Sequence, residues 1–210
     1  GGHEYDGQPV VPLDEDAIVA AAHAIRQTGV TSIGITGSFS PLNPEFEERA
    51  AEIIRQEYPE ARITCSHNLG RIGLLERENA TLLNAALLDL ADETADAFRS
   101  ALDNSGINAP LFITHNDGTV TSAESARRYP VYSFASGPTN SMRGAAFLSG
   151  LEDAIVCDVG GTTTDIGCLV NGFPREANNV VEIGGVRTLF RMPDLISIAI
   201  GGGTMVSDDA

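Results

Sequence analysis

A chain of 210 residues with 42% hydrophobic residues and a mean hydropathy near zero fits a soluble globular protein of one large or two small domains. Its formal net charge of −16 argues against nucleic acid and against an anionic membrane surface, both of which reward clustered basic residues. All thirteen basic residues are arginine, which excludes Schiff-base chemistry and a lysine general base.

Residues 1–12 lack periodicity and read as a loop. Asp14 then caps a predicted helix with Ile18, Val19, Ala22 and Ile25 on one stripe and a stop at Gly29. Residues 30–36 read as a buried strand. In the turn Pro41-Leu42-Asn43-Pro44, Asn43 caps and Pro44 starts the next helix, which turns Phe46, Ala50, Ile53 and Ile54 inward and stops at Pro59. Residues 62–66 form another strand. This alternating order predicts right-handed crossovers and a largely parallel sheet.

A long helical pattern covers 74–104, with Leu82, Leu83, Ala86, Leu90, Ala97 and Leu102 filling a face. Residues 111–114 are a short strand before the turn His115-Asn116-Asp117-Gly118. A small helix begins at Ser122, and 131–135 reads as strand again. Ser136-Gly137-Pro138 opens a helix lined by Ser141, Gly144, Ala145 and Ala146. Those small residues admit close approach of another backbone, though an ordinary alanine-rich helix gives the same pattern. Its place directly before the motif described next favours a hinge between two lobes.

The run Asp158-Val159-Gly160-Gly161-Thr162-Thr163-Thr164-Asp165-Ile166-Gly167 is the most informative in the chain. Apolar strands on both sides make it a predicted β-hairpin with a low-side-chain connection. Such a loop offers backbone N–H groups to a phosphate, and a carboxylate at each end can hold water on Mg²⁺. It is not a Walker loop, which needs a lysine. The plainer alternative is a tight hairpin whose Asp and Thr residues satisfy only the turn itself. Downstream, 182–190 is strand-like around Gly184-Gly185, and a strand over 195–200 runs into Gly201-Gly202-Gly203-Thr204. That exit permits close approach of a flat ligand or a second phosphate contact, or is simply a flexible strand end.

No apolar run reaches membrane-span length and nothing resembles a signal peptide. Cys65, Cys157 and Cys168, odd in number and within predicted strands, read as reduced core residues and point to the cytoplasm. His3, His23, His67 and His115 are dispersed, with no transition-metal signature and no nucleophile elbow.

The order of small-residue helix, Asp158 to Asp165 hairpin and triple glycine resembles the actin-like ATPase superfamily of sugar kinases, heat-shock chaperones and actin. Within it the chain is similar to the hydantoinase A / 5-oxoprolinase family. The residues that carry this are Ser136-Gly137-Pro138, the hairpin, and Met192-Pro193-Asp194-Leu195 leading to Ile200-Gly201-Gly202-Gly203; Glu76-Arg77-Glu78-Asn79-Ala80-Thr81 with Asn84 add to it. The resemblance implies an α/β, ribonuclease H-like fold of mixed sheets with flanking helices, as an incomplete two-lobed architecture. Residues 1–149 would be the later part of the amino-terminal lobe, ending in the interlobe helix. Residues 150–210 would start the carboxy-terminal nucleotide-binding lobe.

Two departures bear on this. The family's amino-terminal phosphate hairpin is missing before Gly1, and the second half of the carboxy-terminal lobe is absent after Ala210, as expected of an internal segment. Thr139-Asn140-Ser141 also departs from the family's small-residue run.

The implied activity is ATP-dependent opening of a cyclic amide, such as a hydantoin or 5-oxoproline, with ATP and Mg²⁺ as cofactors. A second subunit or the missing domains would be the partner. In that comparison Asp158 holds metal-bound water, and Gly160, Gly161, Thr162 and Thr163 contact the β- and γ-phosphates. Asp165 orients the loop or a second water, and Gly201, Gly202 and Gly203 pass the adenosine. Arg143 and Arg187 are the nearest candidates for charge stabilisation, against the alternative of surface ion pairs. A small-molecule kinase, a ketone carboxylase subunit and a scaffold inactive by itself are the other readings.

Overall fold

A computed structural model describes residues 1–134, 136–177, 181–183, 185–189 and 191–205. In chain order its elements are α1 (Glu15–Thr28), β1 (Ser32–Ile35), α2 (Glu45–Glu57), β2 (Arg62–Cys65), α3 (Leu74–Asn104), β3 (Phe112–Thr114), β4 (Val120–Ser122) and α4 (Ala123–Arg128). There follow α5 (Ser136–Ser149), β5 (Ala154–Val159), β6 (Thr164–Val170), β7 (Phe173–Pro174), β8 (Val181–Ile183), β9 (Val186–Thr188) and β10 (Leu195–Ile198). The chain divides into two compact units: 1–109 with 124–131 and 180–190, and 110–123 with 132–179 and 191–210.

In the first unit local sequence sets the helix ends. The Asp14 carboxylate accepts from the Ala17 N–H at 2.9 Å, and Gly29 takes the left-handed φ of 76° that closes α1. The Asn43 side chain accepts from the Glu45 N–H at 3.1 Å, two residues ahead, so Pro44 holds the cap position and α2 starts at Glu45. Ala22 of α1, Ile33 of β1, and Ile54 and Tyr58 of α2 and its end form a core, joined by Ile18, Ile25, Ile35, Ala61 and Ile63.

β1 and β2 pair in parallel, with Ser32 opposite Arg62 and Ile35 opposite Cys65, as a β–α–β order requires. The expected parallel sheet stops there. β3 turns back through Asp117-Gly118 and pairs antiparallel with β4 instead of joining the pair. α3 packs on β1 where Gly34 has no side chain; a Cβ there would lie 3.1 Å from the Thr81 Cγ2.

In the second unit β10, β6 and β5 form an antiparallel sheet, with β7 added to β6. α5 lies on the face where Gly167 of β6 admits Met142; a Cβ at Gly167 would come 2.8 Å from the Met142 sulfur. The close approach therefore falls on the strand glycine. At Gly137 and Gly144 of α5 an added Cβ would meet nothing within 4 Å, so neither helix glycine marks a close approach.

Three expectations are corrected. The strand over 131–135 is a 3-10 turn at Pro130–Ser133, where the Val131 N–H bonds the Asn84 side chain at 3.3 Å; Ala135 lies outside the described residues. Cys157 is not a core residue: it stands on the exposed face of β5 with Ile155 and Val159, while Cys65 alone of the three is buried. The strand-like 182–190 is a β8–β9 hairpin, and Gly184 falls outside the described residues. All three cysteines are free, and no helix among the described residues is long and apolar enough to cross a membrane.

Candidate functional site

The hairpin is built as the sequence predicts. β5 and β6 run antiparallel, and residues 160–163 connect them. The Gly160 N–H bonds the Thr163 carbonyl at 2.9 Å and closes the turn. That leaves the N–H groups of Gly161, Thr162 and Thr163 with no protein acceptor among the described residues. All four residues are exposed. Adjacent free N–H groups on a loop with two glycines form an anion-binding concavity.

Asp158 and Asp165 stand directly opposite each other in the β5–β6 register, at the base of this turn. Like charges at such a position repel unless something positive or a hydrogen bond intervenes. The Ser197 hydroxyl of β10 donates to the Asp165 carboxylate. Asp158 has no hydrogen-bond or ion-pair partner among the described residues. A free carboxylate facing a second one, beside unpaired N–H groups, suits a divalent cation with phosphate on it.

The triple glycine is brought onto the same turn. The Gly202 N–H donates to the Gly160 carbonyl at 2.8 Å. A Cβ at Gly201 would lie 2.6 Å from the Gly161 carbonyl and from the Thr162 nitrogen. Gly201 is buried, while Gly202 and Gly203 are exposed beside the turn. Thr164 and Thr204 lock the exit: the Thr164 hydroxyl donates to the Ile200 carbonyl at 2.5 Å, and Thr204 accepts from the Gly201 N–H at 3.0 Å. Because the atoms crowding Gly201 are backbone, Gly201→Ala must displace the turn; we expect a loss of about 1–3 kcal/mol in thermal or urea melts.

The arginine candidates part company. Arg187 pairs with Glu76 at 3.5 Å, as a surface ion pair would. Arg143 instead donates to the Gly172 carbonyl and lies 4.0 Å over the Phe173 ring.

The first unit holds a buried polar cluster that the sequence did not announce. Glu47 of α2, only 2% exposed, reaches the ends of β1 and β2. Its carboxylate accepts from the Gly37 N–H at 2.8 Å, the Ser66 hydroxyl at 2.5 Å, the His67 N–H at 3.0 Å and His67 Nδ1 at 2.8 Å. Arg77, fully buried, donates from Nε to the Ser66 oxygen at 2.8 Å and from its other nitrogens to the Gly37 and Arg71 carbonyls. Burial pushes the Glu47 carboxyl up, but the bonds from Ser66, the His67 backbone, Ser40 and the His67 ring outweigh it and hold it below the usual range. The signal available in the sequence was the acidic–basic start of α3.

Residues 77–210 match the family described as Hydantoinase/oxoprolinase, and residues 1–58 match the Hydantoinase/oxoprolinase N-terminal region. The chain belongs to the hydantoinase/oxoprolinase family. It is 28% identical over 215 residues to the acetophenone carboxylase gamma subunit of Aromatoleum aromaticum, covering 98% of this chain and 29% of that protein. It is 27% identical over 208 residues to the caprolactamase subunit alpha of Pseudomonas jessenii, covering 97% of this chain and 30% of that one. The crystal structure of the ATP-dependent caprolactamase from Pseudomonas jessenii superposes with a TM-score of 0.80 at 22% identity, over 98% of this chain and 30% of that one. This hydantoinase/oxoprolinase chain thus has the mixed α/β fold of its family in incomplete form, spanning less than a third of these relatives.

Proposed function

We propose that the chain is the nucleotide-lobe core of an ATP-dependent enzyme that phosphorylates a lactam or imide carbonyl oxygen before ring opening. The observation that carries this is the exposed turn with three unpaired N–H groups, set between facing carboxylates and a triple-glycine strand exit. Gly161, Thr162 and Thr163 would bind the β- and γ-phosphate oxygens, and Gly160 would shape the turn through its bond to Thr163. Asp158 would orient metal-bound water, with Asp165 fixed by Ser197 as the second carboxylate. Gly201 would hold the strand exit against the turn so that Gly202 and Gly203 pass the nucleoside. Mg²⁺ held through water at Asp158 and Asp165 would neutralise the charge that develops in phosphoryl transfer.

The chemistry suits such a site. An amide carbonyl is a poor electrophile, and phosphoryl transfer to its oxygen breaks the bond to ADP and makes the ring carbon open to water. Transfer of this kind is mainly positioning and charge neutralisation, which a fixed loop supplies. Residues 1–149 would be the later amino-terminal lobe and 150–210 the start of the nucleotide lobe, in a cytoplasmic enzyme completed by further domains or a second subunit.

The carboxylase relative favours one second reading, in which the same ATP step serves a ketone. Phosphate release by the full-length polypeptide with its partner separates them. Stimulation by 5-oxoproline, hydantoin or a simple lactam upholds ring opening. Stimulation only by a ketone with bicarbonate supports the carboxylase reading. No stimulation by either removes both.

A further inference from the structure

In parallel α/β units, ligands bind outside the carboxyl ends of the strands. Toward that end of β2 the first unit has a cleft of about 330 Å³, lined by its own residues. His67, two residues beyond the end of β2, lines it together with Asn68, Tyr129, Arg55 of α2 and Arg128 of α4. The Glu47 carboxylate lies 2.8 Å from Nδ1 and fixes the orientation of the ring, with Nε2 on its other edge. Asn68 Nδ2 lies 3.0 Å from that Nε2.

Most arginines of this acidic chain have an acceptor. Arg49, Arg62, Arg99, Arg127, Arg175, Arg187 and Arg191 each pair with a carboxylate, and Arg26, Arg77 and Arg143 donate to backbone carbonyls. Arg55 and Arg128 have no ion pair among the described residues, and both line the same cleft. Two acids also line it. Glu52 pairs with Arg49 at 3.0 Å, and Glu48 lies 3.8 Å from His67 Nε2.

Glu47, Cys65 and His67 bring ligand atoms within 4.8 Å of one another, as a metal site would. Yet the Glu47 oxygens already accept four hydrogen bonds, and burial with the Glu47 charge pushes the Cys65 thiol up to about 11. The trio is a hydrogen-bonded frame that aims His67.

We propose that this cleft is a second ligand site, for a small molecule bearing a carboxylate or phosphate group, held by Arg55 and Arg128 beside the His67 ring. A guanidinium matches either oxyanion in planar, bidentate fashion. The site shares no residue with the proposed nucleotide loop, so either assignment survives failure of the other.

The test titrates inorganic phosphate and, separately, succinate into the 210-residue chain. Nuclear magnetic resonance follows the His67 ring signals, and calorimetry gives the affinity. A saturable His67 shift is expected with at least one probe. Arg55→Gln with Arg128→Gln is expected to weaken that binding at least tenfold without changing the melt, because both side chains are exposed. Response to phosphate alone assigns a phosphate ester, and response to succinate alone a carboxylate. No saturable His67 shift with either probe, or equal affinity in the double variant, overturns the proposal.

Discussion

Alanine in place of Asp158 should abolish ATP turnover by the full-length polypeptide, a fall of at least about a hundredfold, while its melting point moves by no more than a few degrees. The two halves of this result have separate causes. Turnover falls because the proposed metal-bound water loses its carboxylate next to the transferring phosphoryl group. Stability holds because Asp158 has no hydrogen-bond or ion-pair partner among the described residues to lose. Removing it also relieves the cross-strand repulsion with Asp165, so a small rise in melting point fits the same account. Steady-state phosphate release beside differential scanning calorimetry provides the check. Turnover that survives would remove Asp158 from the metal; collapse of the melt would make it a structural residue.

A second large effect is expected at Glu47, on stability. Glu47→Ala strips the acceptor from two backbone N–H groups, a hydroxyl and an imidazole, and takes the counter-charge from buried Arg77. Breaking a buried charge network of this kind costs about 3–5 kcal/mol, a large part of the stability of a small domain. Glu47→Gln keeps the shape and should lose less. Because the native carboxyl lies below its ordinary value of 4.5, its stabilisation is complete above that value and disappears as pH falls through the lower native one. Urea melts across the acid range should therefore be flatter for Glu47→Gln than for the parent. Identical slopes would show that the Glu47 charge contributes nothing.

Local signals were legible in the sequence. Asp14 and Gly29 bound α1 as their chemistry requires, and α3 runs from Leu74 to Asn104 as predicted, but the face its leucine spacing named is not the covered one: Leu82 and Leu90 are exposed, while Ala80, Thr81, Asn84, Ala85 and Leu88 are buried. The paired glycines and hydroxyl residues between apolar strands placed the hairpin. What stayed hidden depends on pairings distant in sequence. Glu47 meets Gly37 and Ser66 only once β1 and β2 lie side by side, so neither helix nor strand periodicity marks it. Ser197 becomes the partner of Asp165 only through the β10–β6 register. The turn at Pro130–Ser133 was misread because its apolar residues resemble a strand, whereas the Asn84 side chain holds it as a single helical turn. Cys157 was misplaced because alternation says which residues share a face, not which face is covered.

The 31-residue α3 spans about 46 Å, yet its fully buried polar residues Arg77, Thr81 and Asn84 crowd into its first three turns. Leucine contacts tolerate a small rotation or slide of a helix, because one methyl group substitutes for another. Hydrogen bonds from Arg77 to Gly37 and from Asn84 to Thr64 and Arg128 do not. These anchors act as a key that admits the helix in a single angular setting, and a slip of one residue would orphan all of them together. The far end, where Ala95 is the only buried residue after Leu88, carries no such key and can unwind without releasing the lock.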